Sequence, residues 1–338
     1  MIPANVEWYK QFSQFRRDSK IKKCFREGYD ECGESIVAAH SIQRNGVLDI
    51  LESEISGKMA VLSFLDLEFN EKGEHVGFRT LGKKVASTFS GFCNFHDRSI
   101  FQNIEINSID VDNIEHLFKL SYRAFSKDWH AKIETLKGFE TNEVFNRPQF
   151  QDMVKLLIRG SEFAKRDFTK VKNKLNEILS SGSFDDLYYV TYTLLYISPI
   201  TTSGAFSPEY SYRNNLLNKT TDPSIPYESV ILTVIPTRNE ETHIVLACLP
   251  EDAKSMKFIK EIDKLPDLLF ERAISSVIVA YLENTFISPQ FWLSLPEKNQ
   301  KLLLDELSRT HPTLRNMSNR FFHSGINFFR KDYALKIN

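Results

Sequence analysis

Four side chains that commonly bind metal ions are grouped in the first hundred positions of this 338-residue chain. Cys24 and Cys32 form one pair, and Cys93 and His96 form a second, tighter pair. Zinc prefers thiolate and imidazole ligands, and structural sites hold it with four of them in a tetrahedron. The two-residue gap of the second pair is the usual one for a tight chelate loop, and the turn-forming Gly33 follows Cys32. We therefore predict one structural zinc ion bound by these four residues.

The alternative is that these cysteines are buried free thiols, since cysteine is among the most buried residue types. The seven residues between Cys24 and Cys32 make an unusually long gap for a metal-binding loop. Against this alternative, cysteines clustered beside histidines in an intracellular protein are more typical of metal binding than of disulfides. The fourth cysteine, Cys248, lies in the apolar run HIVLACL and is predicted to be structural.

The segments around the two pairs predict how they are brought together. The runs SIVAAHSI (35–42) and KMAVLSFLDLEF (58–69) are rich in β-branched and apolar residues and predict strands. The residues that follow His96 predict a helix that begins at the second pair. A long loop, a hairpin and a helix in this order are the arrangement of a treble clef.

On these residues the chain resembles the HNH, or ββα-metal, nucleases. The resemblance rests on Cys24-x7-Cys32, on IVAAHSI and on GFCNFHD. His40 matches the family's histidine at the end of the first strand, Cys93 and His96 match the second knuckle, and Asp97 stands where Asn or His is usual. The phrases AHSIQ and GFCxxHD also make the chain similar to a group of uncharacterised bacterial proteins. The resemblance does not extend to residues 110–338.

The resemblance implies His40 and Asp97 as catalytic residues of a nuclease that needs Mg²⁺ or Mn²⁺ and acts on DNA or RNA, in a setting such as bacterial antiviral defence. Ala39 and Phe101 stand where the family often places cation ligands, which leaves Asp97 and, two turns on, Glu105. Whether the chain is an enzyme therefore stays open. Asp97 is also interpretable as a helix N-cap, and His40 as a core histidine or a further member of the zinc shell.

The rest of the chain predicts a larger, helix-rich α+β domain. We expect an N-terminal treble-clef zinc domain over 1–108 and this second domain, of unknown role, over 109–338. The predicted elements are helices over 5–23, 111–136 and 148–180, a tyrosine-rich strand over 186–197, a loop over 199–226, a hairpin over 229–249 and a mostly helical remainder over 251–338.

Composition limits the function classes. The hydrophobic fraction is 42%, the charged fraction is 26% and the net charge is −1, so any nucleic-acid contact requires a local basic patch. Residues 10–26 with Lys83 and Lys84 could form one, or could be ordinary solvated charges. No apolar run approaches membrane-spanning length and no signal-peptide pattern is present, so we expect a cytoplasmic protein. The alternative function is a non-catalytic, zinc-scaffolded module that binds a ligand or a protein partner.

Overall fold

The computed structural model shows a mixed α+β protein, which confirms the predicted fold class. It describes residues 14–33, 35–70, 73–106, 108–141, 151–218, 222, 224–310, 322 and 325–336. For residues 65–70, 73–76, 151 and 153 it describes the backbone alone.

A ββα unit lies near the start of the chain. Strand β1 (Ile36–His40) pairs antiparallel with β5 (Thr88–Cys93), and helix α3 (Asn94–Ile106) follows β5 directly. The pairing is irregular between Val37 and Ala39, where β5 uses an additional residue. Gly91 lies at this irregularity, and a Cβ there would clash with the ring of Phe89. The predicted order of loop, strands and helix is therefore present, but the paired strands are β1 and β5, which are far apart in the chain and do not form the predicted hairpin.

The chain between β1 and β5 contributes to a second, larger sheet. It contains a distorted helical turn (Arg44–Leu48), the short helix α2 (Asp49–Leu51) and three strands: β2 (Ser53–Ile55), β3 (Lys58–Asn70) and β4 (Gly73–Leu81). Strand β3 pairs with both β2 and β4. The predicted strand over 58–69 is confirmed.

The large sheet has eight strands among the described residues, all of whose pairings are antiparallel. Its order is β2-β3-β10-β7-β8-β9-β6, with β4 paired to β3. The later strands are β6 (Tyr188–Leu194), β7 (Ile200–Phe206), β8 (Val230–Pro236), β9 (Thr242–Cys248) and β10 (Thr285–Ile287). The predicted hairpin over 229–249 is β8 and β9, and it is confirmed.

Helices cover both faces of this sheet. The remaining helices are α1 (described over 14–18), α4 (Ile114–Thr141), α5 (Gln151–Ser181), α6 (Ala253–Asp263), α7 (Asp267–Tyr281), α8 (Pro289–Ser294) and α9 (Glu297–Thr310). Ile231 and Ala247 face α4 and the ββα unit, whereas Leu232 and Leu246 face α6 and α7. The central strands β7, β8 and β9 are therefore buried on both sides, and this part of the described chain has three layers.

Three predictions about elements are wrong in part. The segment over 199–226, predicted as a loop, contains the fully buried strand β7. Its threonines can be buried because their hydroxyl groups form hydrogen bonds inside the sheet: Thr201 Oγ1 donates to Val234 O at 2.7 Å. Strand β10 interrupts the predicted helical remainder. The helix predicted over 5–23 ends at residue 18, and its first part, like Pro148 at the predicted start of α5, lies outside the described residues.

The predicted domain boundary near residue 108 falls between α3 and α4. Strands β2, β3 and β4 precede it in the chain and nevertheless belong to the large sheet, so the two predicted domains share that sheet. The division into two folding units stays a prediction. Within the described part of the chain, no helix combines the length and the apolar character needed to cross a membrane.

Cys248 lies outside the predicted ligand set, so replacing it separates a role in core packing from a role in metal binding. It is buried at the end of β9, and burial raises the pKa of its thiol to about 12. We expect Cys248→Ala to lower the free energy of unfolding by about 1 kcal/mol, as small core truncations do, without changing metal content. Denaturant unfolding and elemental analysis of the same sample check this. Loss of metal from this variant would contradict the predicted ligand set.

Candidate metal centre and adjoining cavity

The four predicted ligands meet at one point. Cys24 and Cys32 lie at the two ends of a loop, Cys93 is the last residue of β5, and His96 is in the first turn of α3. One ligand atom from each residue lies within 4.8 Å of all the others. The structure therefore brings together residues that are up to 72 positions apart in the sequence.

His96 contributes its Nδ1 atom to this cluster. Nδ1 lies 3.2 Å from Cys93 Sγ, 3.4 Å from Cys24 Sγ and 3.9 Å from Cys32 Sγ. A tetrahedral ion with about 2.3 Å bonds to sulfur and about 2.0–2.1 Å bonds to nitrogen would separate these atoms by about 3.5–3.6 Å. The observed distances bracket that value, so the four residues could hold a metal ion.

Backbone hydrogen bonds fix the loop that carries Cys24. Phe25 N donates to Gly91 O at 2.7 Å, which attaches the loop to β5. The ring of Phe25 is completely buried and packs edge-on against Tyr122 at 5.1 Å, which attaches the same loop to α4. Gly28 then turns the chain with a φ of +93°, a conformation that other residues adopt at a cost. These contacts hold the two loop cysteines beside Cys93.

The electrostatics of the cluster distinguish Cys93 from the other two thiols. Desolvation alone would raise the pKa of Cys93, but the backbone N–H groups of His96 and Gly33 donate to its Sγ and bring the pKa below its usual value. Burial raises the pKa of Cys24 to about 12 and also raises that of Cys32. Burial lowers the pKa of His96, so its imidazole is neutral, as a metal ligand must be.

A cavity of about 350 Å³ lies beside the start of α3, and both predicted catalytic residues line it. His40 enters it from the end of β1, and Asp97 from the first turn of α3. Its other lining residues are mostly polar or charged: Ala38, Arg44, Asn45, Arg98, Gln102, Glu105 and Arg123. The structure therefore brings the two residues together in one concave site.

His40 has a defined tautomer. Its Nε2–H donates to the backbone carbonyl of Lys83 at 3.2 Å, so the neutral ring carries its lone pair on Nδ1. Burial lowers the pKa of this histidine, which keeps the ring neutral at pH 7. His40 is not part of the metal cluster, so the alternative that assigns it to the zinc shell is wrong.

Asp97 does not cap α3. The helix begins at Asn94, three residues earlier, so the N-cap interpretation of Asp97 is wrong. Its Oδ1 atom is buried and has no hydrogen-bond partner among the described residues. Burial raises the pKa of this carboxyl group, while the positive charge of Arg123 opposes the shift. Asp97 thus presents an unsatisfied acceptor beside His40.

Arg123, which lies on α4, was not predicted as a residue of the site. Its side chain is 3% exposed, forms an ion pair with Glu105 and places its guanidinium 4.1 Å from the ring centroid of Phe101. Phe101 is completely buried and packs on Phe92 at 5.1 Å. The position at which HNH nucleases often carry a cation ligand is therefore part of the hydrophobic core in this chain. Ala39 is buried as well. Only the fold reveals that residue 123 reaches this cavity.

Several basic residues that were candidates for nucleic-acid contact already have acidic partners. Lys20 pairs with Glu134 at 2.8 Å, and Lys23 with Glu27 at 3.1 Å. Lys83 pairs with Glu52. The positive charge around the cavity comes instead from arginines. Tyr192 of β6 stacks on Phe270 of α7, with the ring centroids 4.4 Å apart.

The fold and site define a mixed α+β protein with a Cys3His cluster suited to a metal ion. Comparison with protein-family models, with curated proteins and with solved structures finds no match to this chain. What the chain does must therefore be argued from its own residues.

The metal cluster gives a direct prediction. The purified protein should contain one equivalent of metal, and Cys93→Ala should lose it, because the four ligands act together. Since metal binding contributes several kcal/mol to folding, chelation should lower the melting temperature by on the order of 10 °C. Elemental analysis and thermal unfolding with and without a chelator measure both effects. An unchanged melting curve after complete metal removal would exclude a structural metal.

Proposed function

We propose that the chain is a zinc-scaffolded, HNH-like protein that acts on the phosphodiester groups of nucleic acid, with His40 as general base. The observation that carries the proposal is the single cavity that His40 and Asp97 share with three arginines. A ββα unit with a Cys3His cluster at its base supports both residues. A role in bacterial antiviral defence stays a prediction.

Zinc is the metal that this ligand set favours. Three thiolates with one imidazole form a common closed structural zinc site, whereas Mg²⁺ and Mn²⁺ prefer oxygen ligands. All four positions of the tetrahedron are filled by protein, so the ion would support the fold and would not contact a substrate. The elemental analysis described above should therefore identify zinc.

The state of His40 suits proton abstraction. A general base needs a neutral form at working pH and a lone pair directed by the hydrogen bond on its other nitrogen. Donation of Nε2–H to Lys83 O leaves Nδ1 as the basic atom, and the lowered pKa keeps it unprotonated. His40 could then take a proton from a water molecule that attacks phosphorus.

The charges of the cavity suit a phosphate group. Three arginines line it together with two carboxylates. Arg123 and Glu105 pair with each other, so Arg44 and Arg98 carry the charge that is available to a phosphate. Guanidinium groups bind phosphate oxygens through two parallel hydrogen bonds. The free Oδ1 of Asp97 could hold Mg²⁺ or Mn²⁺, and such an ion would stabilise charge on the reacting phosphate oxygens.

The cavity continues toward the large sheet. A neighbouring cavity of about 270 Å³ shares Asn45 and Glu105 with it and ends at the β8–β9 turn, residues 237–239. Arg238 in this turn forms an ion pair with Asp49 at 2.5 Å, and both residues line this second cavity. A chain of nucleotides longer than one phosphate could therefore lie along it.

A non-catalytic scaffold is the second candidate function. The observation that favours it is the burial of Ala39 and Phe101, which leaves Asp97 as the one unpaired carboxylate in the described lining of the cavity. A cation with one protein ligand would bind weakly in the absence of substrate. On this alternative the cavity binds a partner and no cleavage occurs with any cation.

His40→Ala should abolish cleavage of DNA or RNA that wild-type protein performs with Mg²⁺ or Mn²⁺. We expect a loss of about 10²–10⁴-fold, the usual contribution of a general base. His130→Ala is the matched control, because His130 Nε2 also donates to a backbone carbonyl, Ser90 O at 2.9 Å, but does not line the cavity. Zinc content and melting curves show whether each variant is folded. If wild-type protein cuts no substrate with any cation, the scaffold function is favoured.

The pH dependence of cleavage gives an independent test of the same base. The pKa of His40 lies below its usual 6.5 in the folded protein, so the basic form persists as the pH falls through that value. The rate should therefore stay constant from pH 8 to about 6.5 and fall only at lower pH. A profile that already declines well above pH 7 would indicate that a different group acts as base.

Asp97→Asn tests whether the carboxylate of Asp97 holds the cation. If Asp97 holds the cation, the variant should need about 10-fold or more Mg²⁺ or Mn²⁺ for half-maximal cleavage, because a neutral amide is a weaker ligand. Titration of the cation at fixed substrate measures this. An unchanged cation requirement would place the cation elsewhere.

A further inference from the structure

The loop between Cys24 and Cys32 is longer than metal chelation requires, and two of its side chains make contacts beyond the cluster. Arg26 donates to Asn176 and Ser180 of α5, and Asp30 Oδ2 lies 3.8 Å from His96 Nε2. They connect the imidazole of His96 to the last turns of α5. The proposed zinc site alone does not account for these contacts.

The ring of His96 has one nitrogen without a partner. Its Nδ1 faces the three sulfurs, so Nε2 must carry the hydrogen when a metal is bound. Nε2 is buried and has no hydrogen-bond partner among the described residues, and the nearest acidic atom is Asp30 Oδ2 at 3.8 Å. A small rotation would bring these atoms within hydrogen-bond distance. Metal-bound histidines usually donate their second N–H to such a carboxylate.

Asp30 is itself held in place by Arg26. The guanidinium of Arg26 is 4% exposed and forms an ion pair with Asp30. Its remaining donors reach α5: Nη1 donates to Asn176 O at 2.8 Å, and Nη2 donates to Ser180 Oγ at 2.7 Å. Tyr122 on α4 donates to Asn176 Oδ1 at 2.7 Å, so this point of α5 is fixed from two sides.

We propose that Asp30 is a positioning residue for the metal ligand His96, and that Arg26 transmits metal occupancy to the end of α5. The inference rests on the metal site of the proposed function. When the ion is bound, His96 presents its Nε2–H to Asp30, and the shared carboxylate orders Arg26 against Asn176 and Ser180. When the ion is absent, this restraint on α5 is lost. The long gap between Cys24 and Cys32 provides the two connecting residues.

Asp30→Asn tests the first part. We expect zinc affinity to fall about 10- to 100-fold, the usual effect of removing a partner of a metal-bound histidine. Glu31→Gln is the matched control, because it makes the same charge change on the same loop at a residue for which the described structure shows no ion pair with Arg26 or His96; it should change affinity less than about twofold. Competition with a chromophoric zinc chelator measures both. Equal affinities for the two variants would overturn the role of Asp30 while leaving the zinc site intact.

Hydrogen exchange tests the second part. In zinc-loaded wild-type protein the amides of residues 176–181 should be protected, and chelation should raise their exchange at least about tenfold. Zinc-loaded Asp30→Asn should show the raised exchange at these residues although its cluster is occupied, whereas Glu31→Gln should not. Unchanged protection of 176–181 after metal removal would refute transmission through Arg26. A wild-type protein that binds no zinc would instead refute the metal site itself, and this inference with it.

Discussion

The convergence of three chain segments on one Cys3His cluster is the constraint on which the ββα unit depends. Three thiolates within 4.8 Å of one another would repel strongly without a cation. Burial raises the pKa of Cys24 to about 12, so without metal this thiol stays protonated. Metal binding must therefore displace protons, and the free energy of binding becomes free energy of folding. The position of α3, and with it that of Asp97, follows from His96.

The same unit is tied to the large sheet by the residues between its two strands. Strand β3 pairs with β10, and Ser41 Oγ lies 3.0 Å from Ser203 Oγ on β7. Helix α4 packs on both parts, since it contacts β5 as well as β7 and β8. The cavity around His40 is thus built on helices and strands that pack on one another, as precise positioning of reacting groups requires. The large sheet therefore helps to position the cavity around His40, whatever other function the sheet has.

Local patterns predicted most of the elements and the candidate metal ligands, but not the other long-range contacts between side chains. The spacing of Cys93 and His96 and the apolar run of β3 depend on neighbouring residues, so the sequence alone shows them. Strand β7 was missed because serine and threonine occur both in loops and in buried strands, and only a partner such as Val234 O decides between them. The contact of Arg26 with Asn176 spans 150 positions and leaves no periodic signal. Arg123 escaped prediction for the same reason.

The packing of Phe101 restricts the chemistry that the cavity can support. Its ring contacts both Phe92 and the guanidinium of Arg123, so this turn of α3 packs in the hydrophobic core. A second protein ligand for a cation cannot come from that position, and Glu105 is held by Arg123. We infer that a cation beside Asp97 would complete its coordination with water and with oxygen atoms of the substrate. Since the arginines also attract those oxygens, cation and substrate would bind together, each strengthening the binding of the other.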